Sequence, residues 1–496
     1  MKRNFLKTLL CVTTVTSILF TCTVFAEDID KNSQNNMEYL DSIMNTIKEN
    51  YNYDVSDRQL IEGALKGMFN TMDSYTQYLT NEEAESFYNS VEGNFEGLGM
   101  LLGKSNEYVM VIKVYPSSPA EKVGIFPGDR IVSVNGKRVI GGTPEDTSKL
   151  VRGQRGKKVE LEILRGLGSK TIKISSNVAN VEISPVEYEV RQGVGYIRLD
   201  SFSEKADEYV VKALKDMDCK NLNKVVFDLR DNPGGYAEIA VEIAKNFVPK
   251  GLITKLDFKS DRISDTEYRS SLEKMKYKLA VLVNGNSASA SEIFAGAVQD
   301  TGAGTLIGTK TYGKARVQNV IPILTPEAFA KYKNILGTKS VDALQLREHG
   351  ITPEEDEIMG YSKITTGIYT TPKGRMIDKE GLTPDIVIPD PTSVNGINVN
   401  GIERLRVKEK PGLNDTSYDI FSAELILKLL GYSVDDADSK LDKKTFEAIK
   451  KYQKAKGGKP YGKLDFTTQK WLNDDLDKLL VKYDKQYAKA LEVLKK

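Results

Sequence analysis

Residues 284–294, NGNSASASEIF, set Ser287, Ser289 and Ser291 on alternate positions between an apolar strand pattern and a helical one. A serine becomes a nucleophile only when a neighbouring base takes its proton. Ser289-Ala290-Ser291-Glu292 also fits the S-x-x-E capping box of a helix start. Such a start is where free N–H groups and the helix dipole stabilise developing negative charge, so the two readings are compatible. Ser287 belongs to the loop and Ser291 lies inside the first turn, whereas Ser289 sits at the strand-to-helix junction, able to face a cleft. Chemistry alone leaves Ser289 as a cap or a nucleophile.

The base is the next question, because the chain has one histidine in 496 residues. That residue, His349, lies in LQLREHGITPEEDE, which reads as an exposed, charged insertion. A zinc hydrolase lacks nitrogen and sulfur ligands, and no carboxylate spacing suggests a metal site. Lysine remains, provided burial favours its neutral amine. If IGTKTYGKARVQNVIPI is extended after Gly313, the period of two puts Lys314, Arg316 and Gln318 on one face. Gln318 could then orient the amine without adding charge, while Lys310 is a competitor that spacing does not exclude.

These groups need elements to position them. NKVVFDLRDNPGG runs into a helix with Tyr236, Ile239, Ala240, Ile243, Ala244 and Phe247 on one face, and KLAVLVNGNSAS runs into a second with Ala290, Ile293, Phe294, Ala297 and Val298. Repeated strand, turn and helix predict a mostly parallel α/β layer with its ligands beyond the carboxyl ends of the strands. Ahead of this core, residues 27–92 read as a helical arm, with Leu40, Ile43, Met44 and Ile47 and then Leu60, Ile61, Leu65 and Phe69 at helical spacing. Residues 93–178 read as short strands with glycine turns, including an Asn135-Gly136 hairpin. Residues 412–480 form a small helical segment, followed by a lysine-rich tail.

FEGLGMLLG and SSPAEKVGIFPGDRIVSVNG resemble a PDZ domain. By that resemblance Gly97, Leu98 and Gly99 form the loop whose backbone N–H groups take a peptide's C-terminal carboxylate, with a strand edge pairing the peptide and Arg152 near the anionic tail. Gly431, Thr445, Tyr452-Gln453 and Thr467-Thr468 through Leu472 resemble a peptidoglycan-binding repeat, which implies peptidoglycan contact. DLRDNPGG, NSASASEIFAGAVQD, TYGKARVQ and TTPKGRMIDKEGLTPDIVI together resemble the C-terminal processing (tail-specific) peptidases. That family implies a crotonase-like α/β peptidase core at 179–411 with an inserted PDZ domain, and dimerisation through the helical arm. It also implies Ser289 as nucleophile, Lys314 as general base and Gln318 as its positioner, with the N–H of Ala290 and one from Gly234 or Gly235 as oxyanion hole. No metal or organic cofactor is implied. Three departures stand out: Ala315 where a second glycine is usual, MDSYTQYL where a proline and histidine are common, and a longer stretch at 325–360.

Residues 1–26 combine Lys2, Arg3 and Lys7 with an apolar run and small residues before Glu27, the pattern of a secretory signal. Without them Cys219 is the single cysteine, so no disulfide framework is expected. The remaining 67 Lys and Arg against 69 Asp and Glu give a net charge of −2, which argues against general nucleic-acid binding. The expectation is a secreted or envelope-associated serine endopeptidase acting on protein C-terminal tails. The alternative is a non-catalytic surface scaffold that holds peptides.

Overall fold

The computed structural model describes residues 31–152, 155–166, 170–338 and 340–495, so the expected signal at 1–26 lies outside the described residues. The chain divides into two units, Met1–Met72 and Asp73–Lys496. The first contains α1 (Lys31–Asn50) and α2 (Asp57–Phe69), the latter opened by a Ser56/Gln59 capping box. The helical reading of 27–92 is corrected beyond this point. β1 (Gln77–Leu79) is a strand of the second unit, and α3 (Asn81–Glu92) follows it there. Tyr78 and Leu79 are buried, which a short solvent-facing helix would not achieve.

β2 (Asn94–Gly97) leads into the domain read as PDZ-like. Its elements are β3 (Met100–Ser105), β4 (Tyr108–Val114), α4 (Pro119–Lys122), β5 (Arg130–Val134), β6 (Lys137–Arg138), α5 (Pro144–Val151), β7 (Lys158–Leu164) and β8 (Thr171–Asn177). The sheet runs β3-β4-β5-β7-β8, with β6 paired to β5, so β3 is an edge strand. Val109, Val111, Ile131, Val159, Leu161 and Ile163 alternate inward to make its core. β9 (Ala179–Glu182) returns to pair with β2.

The core follows: β10 (Val186–Arg191), β11 (Val194–Leu199), α6 (Ala206–Cys219), β12 (Lys224–Asp228), α7 (Ala237–Ala244), β13 (Gly251–Phe258), β14 (Thr266–Ser270), β15 (Lys278–Val283), α8 (Ala290–Thr301) and β16 (Thr305–Gly308). β17 (Arg316–Leu324), α9 (Pro326–Leu336), α10 (Ala343–Glu348), β18 (Ile358–Thr370) and β19 (Ile386–Val387) complete it. The main sheet is β10-β11-β12-β15-β16-β19, parallel from β11 onward. A second sheet joins β1, β18, β13 and β14, with β17 hairpinned to β18. The stretch at 325–360 holds α9 and α10 over a small cluster of Ala328, Tyr332, Val341 and Leu346.

The main strands are apolar on both faces, as buried parallel strands must be. Val225, Phe227, Leu279, Val281 and Val283 face α6, α7 and α8. The alternate residues Val226, Ala280 and Leu282 face α14 (Lys485–Lys495), behind which α11 (Tyr418–Leu429), α12 (Lys443–Ala455) and α13 (Phe466–Tyr483) pack in one continuous apolar cluster. The C-terminal helices are therefore the second layer of the core. The stretch expected as a lysine-rich tail is α14, which buries Tyr487, Ala490 and Leu494 because its lysines leave one apolar stripe to meet the sheet. The same segment carries a buried ion network: Arg230 donates to Asp228 at 2.5 Å, to Asp484 at 2.8 Å and to Gln486 at 3.1 Å. Burial pushes the Asp228 carboxyl up, but the Arg230 charge prevails and holds it at about 2.

Candidate active site

The sequence 284–294 folds as a sharp elbow between β15 and α8. Ser287 is fully buried and donates to the Leu229 carbonyl at 2.8 Å, and buried Ser291 donates to the Asn232 carbonyl at 2.9 Å. Both hydroxyls are structural. Ser289 is half-buried at the turn, with φ 57° and ψ −117°. A non-glycine residue pays roughly 1–3 kcal/mol for such a backbone, which persists only where its surroundings over-determine it. A strained strand-to-helix turn is also how a hydrolase presents its nucleophile.

Two buried side chains supply that over-determination, and both tie the elbow to the lysine strand. Glu292 Oε2 accepts the N–H of Ser289 at 3.0 Å and that of Lys314 at 2.8 Å. Its Oε1 accepts the Gly313 N–H at 2.8 Å and the Thr311 hydroxyl at 2.6 Å. The capping glutamate read from sequence thus does more than cap: one oxygen joins the two main chains. The Tyr369 hydroxyl lies 2.6 Å from the Lys314 carbonyl and 3.0 Å from the Ser289 carbonyl, a second bridge between them. Sequence reasoning missed Tyr369 and this wider role of Glu292. For Glu292 the signal was its burial-prone place on an otherwise apolar helix.

Lys314 is half-buried, and desolvation followed by the nearby Lys363 charge lowers its amine to about 8 against the opposing pull of Asp73 and Glu292. Its Nζ lies over the Tyr75 ring, 4.7 Å from the centroid, and makes no hydrogen bond to Ser289 among the described residues. The competitor Lys310 is exposed, with its Nζ 3.8 Å from Glu380. His349 is exposed, its Nδ1 2.9 Å from the Gln345 carbonyl. Gln318 makes no hydrogen bond to Lys314 among the described residues; it lies opposite Thr365 of β18, to whose hydroxyl its Nε2 donates at 3.4 Å. Ala315 is fully buried, its N–H on Asp378 and its carbonyl taking the Tyr369 N–H, a geometry that needs no glycine.

The NPGG turn closes on the elbow. Gly234 has φ 107°, and a Cβ there would lie 2.8 Å from Ser289 Cβ and 3.0 Å from the Ala290 nitrogen. The Gly234 N–H is consumed by Asn232 Oδ1 at 2.8 Å, whereas those of Gly235 and Ala290 have no acceptor among the described residues. Of the two glycines left open by sequence, Gly235 is the one with a donor to spare. A hydroxyl, a shielded amine and two unoccupied N–H groups at one helix start can support acyl transfer.

In the PDZ-like domain Gly97 ends β2, the buried Leu98 carbonyl accepts the Ala120 N–H at 2.8 Å, and the Gly99 carbonyl accepts that of Tyr115 at 3.0 Å. Gly99 has φ 74°, and a Cβ would fall 2.4 Å from Ser118 Cβ. The loop feeds the edge strand β3, against which α5 packs. Arg152 is the exposed C-cap residue of α5.

Comparison with known proteins gives four family matches: Peptidase family S41 over residues 193–388, a PDZ domain over 110–165, the activating protease CtpB N-terminal domain over 21–83, and a peptidoglycan binding domain over 416–472. A "Probable CtpA-like serine protease" of Staphylococcus aureus strain COL is 30% identical over 480 residues, covering 94% of this chain and 86% of the relative. The chain belongs to peptidase family S41. A like-named relative of Staphylococcus epidermidis strain ATCC 35984 is 29% identical, covering 94% of this chain and 87% of that one. Among solved structures, a photosystem II D1 C-terminal processing protease is similar at 24% identity and a TM-score of 0.40, covering 72% of this chain and 88% of that one. This S41 member is a serine-type peptidase with a PDZ domain, a module that binds peptide C-termini. Its peptidoglycan-binding domain associates it with the cell envelope. The scaffold alternative therefore gives way to an enzyme.

Proposed function

We propose that this S41 peptidase is secreted, engages protein C-terminal tails through the PDZ domain and cleaves them with a Ser289/Lys314 dyad by way of an acyl-enzyme. Ser289 Oγ attacks the scissile carbonyl carbon while neutral Lys314 takes its proton. The Ala290 and Gly235 N–H groups receive the oxyanion. The lysine ammonium then protonates the leaving amine, and water, deprotonated by the same amine, releases the acyl group. Gln318, seated on Thr365, shapes the wall beside the lysine. In the PDZ domain the carboxylate meets the Gly97-Leu98-Gly99 loop, the tail pairs with β3, and Arg152 adds a positive charge at the end of α5. Homodimerisation through the N-terminal helices is part of this reading: Met37, Leu40, Ile43 and Ile47 of α1 are exposed apolar residues.

The observation that carries the reading is the double tie, through Glu292 and Tyr369, between a strained serine and a lysine whose amine is lowered to about 8. Cleavage of a peptide tail with a free C-terminus tests it. Ser289→Ala and Lys314→Ala should each abolish cleavage with circular dichroism unchanged. Retained cleavage in either variant contradicts the dyad.

A further inference from the structure

The family matches leave the turn at residues 73–76 without a role, yet it is built against the lysine. Asp73 accepts the Tyr75 N–H at 2.9 Å and the Thr76 hydroxyl at 3.0 Å. Thr76 Oγ1 in turn accepts the Thr365 N–H of β18 at 3.0 Å, and Arg316 of β17 lies 3.6 Å from Asp73. The pinned turn lays the Tyr75 ring under both strand cations, with the Lys314 Nζ 4.7 Å and the Arg316 guanidinium 5.6 Å from its centroid. The Tyr75 hydroxyl faces that of Tyr312 at 3.4 Å. Among the described residues the Lys314 amine has no hydrogen bond and no ion pair, and the Tyr75 ring face is the contact that holds it. Proton transfer needs the amine about 2.6–3.2 Å from Ser289 Oγ, so the lysine must leave the ring to act.

We infer that Tyr75 is a positioning residue: its ring face is the resting seat of the Lys314 ammonium, and release from that seat sets how readily the lysine accepts the Ser289 proton. An aromatic face attracts the charged amine and not the neutral one, so the seat favours the protonated, resting form. It acts alongside Lys363 from β18, which disfavours the charge, and Asp73 and Glu292, which favour it, while the Arg316 guanidinium of β17 shares the same ring. The inference rests on Lys314 being the general base.

The test is the pH dependence of kcat/KM for tail cleavage. Tyr75→Leu removes the quadrupole and should move the acid limb to lower pH by about half a unit, while Tyr75→Phe keeps the ring and should leave the limb where the wild type has it. Because Tyr75→Leu can disturb the turn, Tyr75→Phe with progressive ring fluorination serves as a shape-preserving series. It should shift the limb stepwise in the same direction. A limb unmoved by either Leu or fluorination overturns the inference, as does a shift with Phe equal to that with Leu. Lys314→Ala separates the two levels of the argument. If that variant still cleaves, the base assignment fails. If it is inactive and the limb ignores residue 75, the seat alone fails.

Discussion

Lys314→Met is the substitution that most directly probes what the fold does to this amine. Burial and the Lys363 charge lower the group from 10.5 to about 8. One pKa unit corresponds to about 1.36 kcal/mol, so holding the charged amine in this site costs the folded chain up to about 3 kcal/mol. The folded value is depressed, so the unfolded chain binds more protons between about pH 8 and 10.5, and wild-type stability rises with pH across that window. Below about pH 8 the cost is fully present. Lys314→Met, close in length and apolar, should therefore raise stability by about 1–3 kcal/mol at pH 7, with the gain fading toward pH 10.5. Urea unfolding of both chains at pH 7 and pH 10 reads this, with tail cleavage measured in parallel and expected to vanish. A Met variant less stable than wild type at pH 7, or a gain that does not shrink at pH 10, would refute the argument that the site shields the amine.

Other consequences follow from single contacts. Glu292→Gln puts an amide among four donors, two main-chain N–H groups on one oxygen and a third with the Thr311 hydroxyl on the other, and should cost about 2–4 kcal/mol and most of the activity; a thermally neutral variant would contradict the tie. Truncation after residue 411 uncovers Val226, Ala280 and Leu282 and strips Arg230 of Asp484, so the fragment should be insoluble or unfolded; a soluble, cooperatively melting fragment would mean the helices are dispensable. Gly99→Ala sets a Cβ 2.4 Å from Ser118 Cβ at a φ of 74°, and should weaken tail binding to the PDZ domain at least tenfold while small ester substrates of the core are still hydrolysed; undiminished tail affinity by calorimetry would remove the loop from recognition.

Much of the site was legible because its residue types are scarce. One histidine, one cysteine outside the expected signal and a serine at a helix start left a shielded lysine, and the period of two put Lys314 and Gln318 on one strand. β17 keeps that period; the extra residue is Thr366 on the partner β18, which brings Gln318 opposite Thr365, and no local pattern announces a bulge on a distant strand. The contacts of Tyr75 and Tyr369 span long separations in sequence, so they are invisible to spacing. The C-terminal layer was partly written in KLAVLV, whose unbroken apolar run demands cover on both faces. Only one face could be supplied by α6, α7 and α8, and this pointed to a further layer that the charged look of residues 484–496 concealed. Likewise QYL at 77–79 is too short for periodicity to mark as a strand, and it is one because β18 offers it a partner.

The central claim is that the Ser289 hydroxyl accepts the acyl group with Lys314 as its base, and intact-mass and peptide-level mass spectrometry of enzyme quenched during turnover of a slow ester tests it most directly. The account predicts an added acyl mass that maps to Ser289 and is absent from the Lys314→Met chain. An acyl group on Ser287, Ser291 or any other residue, or one that forms equally well without the lysine, contradicts it.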